Sequence, residues 1–464
     1  MVQHDVSPQA PVDDQPTIGL IGMGEMGRMY AKYLSEAGWR KLNVCDRPEN
    51  FEKLSSDLQG WPGVVVLRDG HKVSRASDFI MYSVEAEFID KVVKEFGPST
   101  KVGAVVAGQT SVKAPEKAAF EKYLPADVHI VSCHSLHAPT VSPAGQPLVL
   151  IKHRATDEAL KLVEDILRPL SSRYVYMTYE EHDLVTANTQ AVTHAAFLSM
   201  GTAWSRNLEY PWEHGYYVGG IETVKVNIML RIYANKYHVY AGLAILNPSA
   251  RIQIDQYAKS TTDLFKLMLE GNEEGLRSRL YRARDSVFRE ADVTNRRPIL
   301  LSEAVLDRFT LRGTKPVKTS TTLNGSTEPQ SAPRSPSDNG PKANSHLSLL
   351  AMVDCWAALG ILPFVHLDLA ATPIFRMWIG VAEYLFRSQE RLDAAIDAAL
   401  HDVSHRSDDL EFVVAARGWS QCVSFGNFEL YERRFVSTAA FFQPRFEEAV
   451  KVGSDMIKTI LDSS

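Results

Sequence analysis

Three groups of residues in this chain have the types and spacing that a reaction centre needs. Gly22-Met23-Gly24-Glu25-Met26-Gly27 is a complete GxGxxG. In that pattern the first glycine permits a tight turn, the second lets the backbone approach a pyrophosphate, and the third lets a helix sit close on a strand. His134 and His137 lie three residues apart at the end of the apolar run VHIVSCH. A neutral imidazole there can accept a hydroxyl proton at neutral pH, and spacing does not choose between the two. Ser111 follows another apolar run, VGAVVAG, in the turn Gly108-Gln109-Thr110-Ser111. Its hydroxyl can hold a ligand, cap the following helix, or do both.

The glycines have this meaning only between a strand and a helix, and the flanking sequence supplies both. TIGLIGM reads as a strand, and Met26 to Ala37 has helical periodicity closed by Gly38. LNVCD, DFIMYSV, VGAVVAG and VHIVSCH follow as strands separated by helix-length segments, with QPLVLIK and Tyr174 to Met177 as further edge strands. Such alternation predicts an α/β unit, a Rossmann-type doubly wound parallel sheet. Its expected bounds are 17–178, after a disordered lead-in over 1–16. Asp46 ends the second strand about 20 residues past the glycines, where an acidic residue meets ribose hydroxyls. Alone it favours NAD, but Arg47 beside it offers a cation to a 2′-phosphate. Ser83, closing DFIMYSV, completes the expected cofactor contacts with the Gly22–Gly27 run.

From Tyr179 the spacing becomes helical, which predicts an all-α domain over 179–311. Residues 312–345 are rich in Ser, Thr, Pro, Asn and Gly and almost devoid of large apolar side chains. They cannot bury enough surface to offset ordering and read as a disordered linker. Helical patterning resumes over 346–464. IMLRIYANKYHVYAGLAI and GVAEYLFRSQERLDAAID share apolar spacing, so the second half reads as a possible degenerate duplicate with Tyr384 opposite Arg231.

Composition narrows the classes. A chain of 464 residues exceeds one ordinary core. A net charge of -6 and a pI near 6.2 argue against a nucleic-acid partner. Cys45, Cys133, Cys355 and Cys422 lie far apart without a CxxC pair, as expected of reduced thiols in a cytoplasmic protein rather than of a disulfide framework or a metal site. The N-terminus lacks a basic and then apolar leader, so no secretory signal is expected. Leu347 to Val365 is the most membrane-like window, but Asp354 interrupts it, and a buried core helix is the expectation.

Beyond these signals, three segments resemble prephenate dehydrogenase, and closely its long fungal form. They are Gly108-Gln109-Thr110-Ser111-Val112-Lys113, Ser135-Leu136-His137-Ala138-Pro139, and Glu181-His182-Asp183 followed by Thr189-Gln190-Ala191-Val192-Thr193-His194. The resemblance covers 17 to about 300 and, skipping the linker, extends through NSHLSLL and TPIFR. It implies oxidative decarboxylation of prephenate to 4-hydroxyphenylpyruvate in tyrosine biosynthesis, with NADP as acceptor and NAD as the lesser alternative. It implies His137 as the catalytic histidine and Ser111 as the holder of the substrate hydroxyl. It further implies Arg231 as the ring-carboxylate ligand, with Gln109, Gln190 and His194 lining the pocket. Gly108 stands where the family usually has an aspartate. The expected assembly is a homodimer, or a monomer whose two helical halves imitate one. Arogenate dehydrogenase is the nearest alternative, and an inactive NADP-binding regulator is the alternative outside the enzymes. A 3-hydroxyacid dehydrogenase would place a lysine on the first interdomain helix, and Thr186 to Phe197 contains none.

Overall fold

The computed structural model describes residues 5–206, 210–288, 297–311, 344–370 and 372–462. Eight strands form one sheet: β1 (Ile18–Ile21), β2 (Leu42–Cys45), β3 (Val64–Val66), β4 (Phe79–Tyr82), β5 (Val105–Gly108), β6 (His129–Ser135), β7 (Pro147–Arg154) and β8 (Arg173–Tyr176). Their order is β3-β2-β1-β4-β5-β6-β7-β8. The first six run parallel, and both faces are covered, which is why they read as continuous apolar runs. Leu20, Val44, Met81 and Val105 pack on one face, and Ile21, Ile80, Tyr82 and Val106 on the other.

The expected doubly wound parallel sheet is present, and the details around it depart from the sequence reading. The sheet is not wholly parallel: β7 pairs antiparallel with β6, and β8 runs parallel to β7. The link from Ser135 to Pro147 contains no helix, so the chain turns back beside β6 instead of crossing over. The lead-in is also ordered from residue 5. Gln15, 4% exposed, donates to the carbonyls of Pro8, Ala10 and Gly38 and accepts from the Arg40 N–H. One buried amide anchors that segment together with Val6, which packs on the sheet core, and composition is blind to such an anchor. The sheet also gains β3, whose three valines are too few to show a period.

The helical region has one core instead of two. Buried residues from Ala187 to Leu311 and from Leu347 to Ile460 form a single apolar cluster. The Phe197 and Trp378 rings are 4.8 Å apart, Trp419 donates to the Thr202 hydroxyl, and Tyr257 donates to the Ser348 carbonyl. The Leu347–Leu359 helix is buried as expected, and its Asp354 accepts a two-pronged bond from Arg279 at 2.7 Å on each oxygen. Among the described residues no helix is long and apolar enough to cross a membrane. Residues 312–343 of the expected linker lie outside the described residues. Asn344 and Ser345 belong to the fold, donating to Glu222 and Asp409.

The sheet and the helices meet at Lys113. Its ammonium is fully buried and donates to Glu116 (3.0 Å), Ser132 Oγ (3.0 Å), the Cys133 carbonyl (2.9 Å) and the Gly108 carbonyl (3.2 Å). The ends of β5 and β6 are thereby fixed to the helix Ala114–Tyr123. The Lys113 backbone N–H and that of Ala114 donate to the two carboxylate oxygens of Asp183, each at 2.7 Å. Asp183 therefore caps a helix of the sheet unit from the first helix of the helical region. A further chain of contacts runs from Asp183 to His182 Nδ1 (3.0 Å) and from His182 Nε2 to His134 Nδ1 (2.8 Å).

These contacts carry two predictions. Removing one partner of a buried ion pair strands the other charge, at about 3–5 kcal/mol. Lys113→Ala should lower stability by that amount in urea unfolding, and an unchanged midpoint would refute the hub role. Burial pushes the pKa of both His134 and His182 well below the ordinary histidine value, with neighbouring positive charge adding to it. The folded state therefore keeps both neutral while the unfolded chain protonates near 6.5. Stability should be full above that pH and fall as pH drops, by about 1.4 kcal/mol per pH unit for each such group. Unfolding of His182→Gln measured from pH 7.5 to 5 should show a shallower slope than the parent.

Candidate active site

β1 is flanked by β2 on one side and β4 on the other, which puts the reversal of strand order, and hence the binding crevice, at the ends of β1 and β4. Gly22 follows β1 at φ 97°, a conformation favouring glycine, and a Cβ there would meet the Ser83 carbonyl at 2.3 Å. A Cβ at Gly27 would meet the Gly22 carbonyl at 2.1 Å, whereas one at Gly24 would meet nothing within 4 Å. Two glycines are therefore required by packing, and the third faces an open cradle at the N-terminus of the helix Glu25–Ala37. That geometry fits a pyrophosphate. Met23 packs in the core, leaving only its backbone for a cofactor, while Met26 is half-buried against the same core. The Asp46 carboxylate accepts from the Arg47 N–H (2.9 Å) and Asn50 Nδ2 (3.1 Å). The Arg47 side chain is 73% exposed, with Glu49 3.6 Å away.

The ends of β5 and β6 open on the same edge of the sheet. Ser111 is half-buried and does not cap the helix, which begins at Ala114 with Lys113 at the cap and Asp183 as acceptor. Its hydroxyl has no hydrogen bond among the described residues. Behind it, Thr110 donates to Glu116 (2.6 Å), and a Cβ at Gly108 would lie 2.1 Å from that same carboxylate. Glu116 thus occupies the space that a side chain at 108 would fill. Gln109 Nε2 contacts Cys133 Sγ (3.4 Å), and its Oε1 is buried without a partner.

The two histidines, equivalent by spacing, have different surroundings. His134 is 8% exposed and is committed through Nδ1 to His182. Asp183 accepts from His182 Nδ1–H, so His182 Nε2 accepts from His134 Nδ1–H. His137 sits in the loop beyond β6, and its Nδ1–H donates to the Ala138 carbonyl at 3.0 Å. That bond leaves a lone pair on Nε2, which is buried with no partner. An unpaired buried acceptor is costly in itself and is what a hydroxyl ligand would satisfy.

The helical side contributes a second row. Ala187–Ala191 is a π-helical turn between two α-helices, placing half-buried Gln190 at its end. Such insertions are frequent at functional sites. His194 follows one turn later, on the α-helix Val192–Arg206. Burial lowers the His194 pKa to about 3, so the ring is neutral, and its Nδ1 has no partner. Its ring packs edge-on to Tyr240 at 4.7 Å. Arg231 is close enough for its charge to act on Tyr240, and its Nη1 donates to Ser454 Oγ (2.8 Å) on the last helix. Tyr240 and Ser454 stand in no recognisable motif, and sequence reasoning misses both. The helix that carries Tyr240 lies against the sheet unit: a Cβ on Gly242 would be 3.7 Å from that of Ala86, just past β4.

With that geometry in place, relatives are informative. Residues 17–177 match the NAD binding domain of 6-phosphogluconate dehydrogenase, and 191–462 match a C-terminal domain of the 6-phosphogluconate dehydrogenase type. The probable prephenate dehydrogenase [NADP(+)] of Schizosaccharomyces pombe is 51% identical over 96% of this chain and 98% of its own length. The prephenate dehydrogenase [NADP(+)] of Saccharomyces cerevisiae is 49% identical over 96% of this chain and 94% of its own. A crystal structure of prephenate dehydrogenase from Aquifex aeolicus aligns with a TM-score of 0.46 at 21% identity, over 57% of this chain and 96% of that one. About half of all positions shared along nearly the whole length is a family relationship, and the chain belongs to the prephenate dehydrogenases.

Proposed function

We infer that this chain is an NADP-dependent prephenate dehydrogenase acting in tyrosine biosynthesis. The observation that carries the reading is the unpartnered, buried Nε2 of His137 on the sheet edge that also holds the open glycine cradle. Bound NADP supplies a hydride acceptor. The chain's residues do the rest. Ser111 holds the ring hydroxyl, and His137 Nε2 takes its proton as the carbon–hydrogen bond breaks. Loss of the ring carboxylate as CO2 makes the ring aromatic, and His137 returns the proton to the phenol oxygen. Arg231, oriented by Ser454, binds a carboxylate of the substrate. Neutral His194, with Gln190 and Gln109, lines the pocket. The exposed Arg47 guanidinium, next to an Asp46 carboxylate already bonded by the Arg47 N–H and Asn50, suits the 2′-phosphate of NADP.

We assign the cytoplasm as compartment, consistent with four free and buried cysteines. The shared core supports a pseudo-dimeric monomer, with the 346–464 half packed as a second subunit would be and Tyr384 in place of a second Arg231.

Two measurements test these assignments. Absorbance at 340 nm should rise with prephenate and NADP, more slowly with NAD, and His137→Asn should reduce the rate by about 10²–10⁴-fold, the span of general acid–base catalysis. His134→Asn should keep most of that rate; equal losses would move the base to His134. Activity confined to arogenate would change the substrate and keep the mechanism. Light scattering should give a native mass near 51.7 kDa, and twice that mass would refute the pseudo-dimer.

A further inference from the structure

The segment joining the helices Gly220–Tyr233 and His238–Leu246 reaches across to the sheet unit. Lys236 Nζ lies 2.9 Å from Glu25 Oε1, and His238 Nδ1 lies 3.6 Å from Glu85 Oε1. Glu25 is the first residue of the helix behind the glycine turn, next to the open face of Gly24. Without a ligand, a carboxylate there is favoured by the helix dipole. A pyrophosphate brings two negative charges to the same place, and Glu25 then opposes it. Arg28, one turn along, cannot easily compensate, because it already bonds Asp57 (2.9 Å) and the Met23 carbonyl (3.1 Å). The Lys236–Glu25 pair is open to solvent, with side chains 63% and 67% exposed. Such a pair is worth little by itself, so its ammonium can change partner at small cost.

We propose that Lys236 is a cofactor-binding residue whose ammonium passes from Glu25 to the pyrophosphate oxygens when NADP binds. The helical region thereby supplies the cation that the glycine turn lacks, and cofactor affinity depends on the segment 234–238 closing on the sheet. The inference rests on the dinucleotide-site reading above.

The test is fluorescence titration of NADP into the purified full chain without prephenate. Lys236→Met should raise the Kd about tenfold, the worth of one charge-assisted contact, and Lys236→Arg should recover most of it. The loss should persist when Glu25→Gln is added. A Kd for Lys236→Met within twofold of the parent overturns the proposal. Full recovery by Glu25→Gln does so too, because the lysine would then only screen that carboxylate. A parent chain that fails to bind NADP refutes the dinucleotide-site reading itself, an outcome separate from either of these.

Discussion

A single ammonium group holds the reaction edge in register. Lys113 Nζ bonds carbonyls at the ends of β5 and β6, a serine hydroxyl and the Glu116 carboxylate, all inside the protein. Burying a lysine is tolerable only because every proton has an acceptor. The same residue's backbone N–H goes to Asp183, so one position ties strand ends, helix start and helical region together. Ser111 lies two residues before Lys113, and His137 lies two beyond the end of β6. Displacement of this ammonium would misplace both.

Neutral imidazoles recur around that hub. His134 and His182 are kept uncharged by burial beside Lys113, and His194 by burial alone. A charged histidine in that position would add to the positive field of a buried lysine, which low polarity makes expensive. His137 differs by being outside the row, with its free nitrogen defined by one hydrogen bond to a carbonyl. The proton transfer proposed above therefore falls to the histidine in the loop, the one whose Nε2 is left with a free lone pair.

Much of this is legible in the sequence where the signal is local. The glycine turn, the apolar strands around it, and the change to helical spacing at Tyr179 all follow from neighbouring residues. Features set by distant partners are not legible. His134 and His137 are equivalent by spacing and separate only because His182, 48 residues after His134, reaches one of them. The direction of β7 depends on what its connection lacks. Gly108, an apparent gap in the family pattern, makes sense only beside Glu116, whose carboxylate fills the space. The single helical core has no local signature, since its contacts join residues more than a hundred positions apart.

That shared core has a consequence for how the protein is made. The sheet and the apolar layers on its faces lie within one continuous stretch, so that unit can form while the ribosome is still adding later residues. The helices up to Tyr233 cannot finish: Phe197 awaits Trp378, Thr202 awaits Trp419, and Arg231 awaits Ser454. At about 5–20 residues per second, their apolar faces stay uncovered for on the order of ten seconds or more. A nascent chain in that condition needs chaperone cover, and a premature stop in the last stretch of helices leaves a folded nucleotide-binding unit attached to an unclosed, aggregation-prone half.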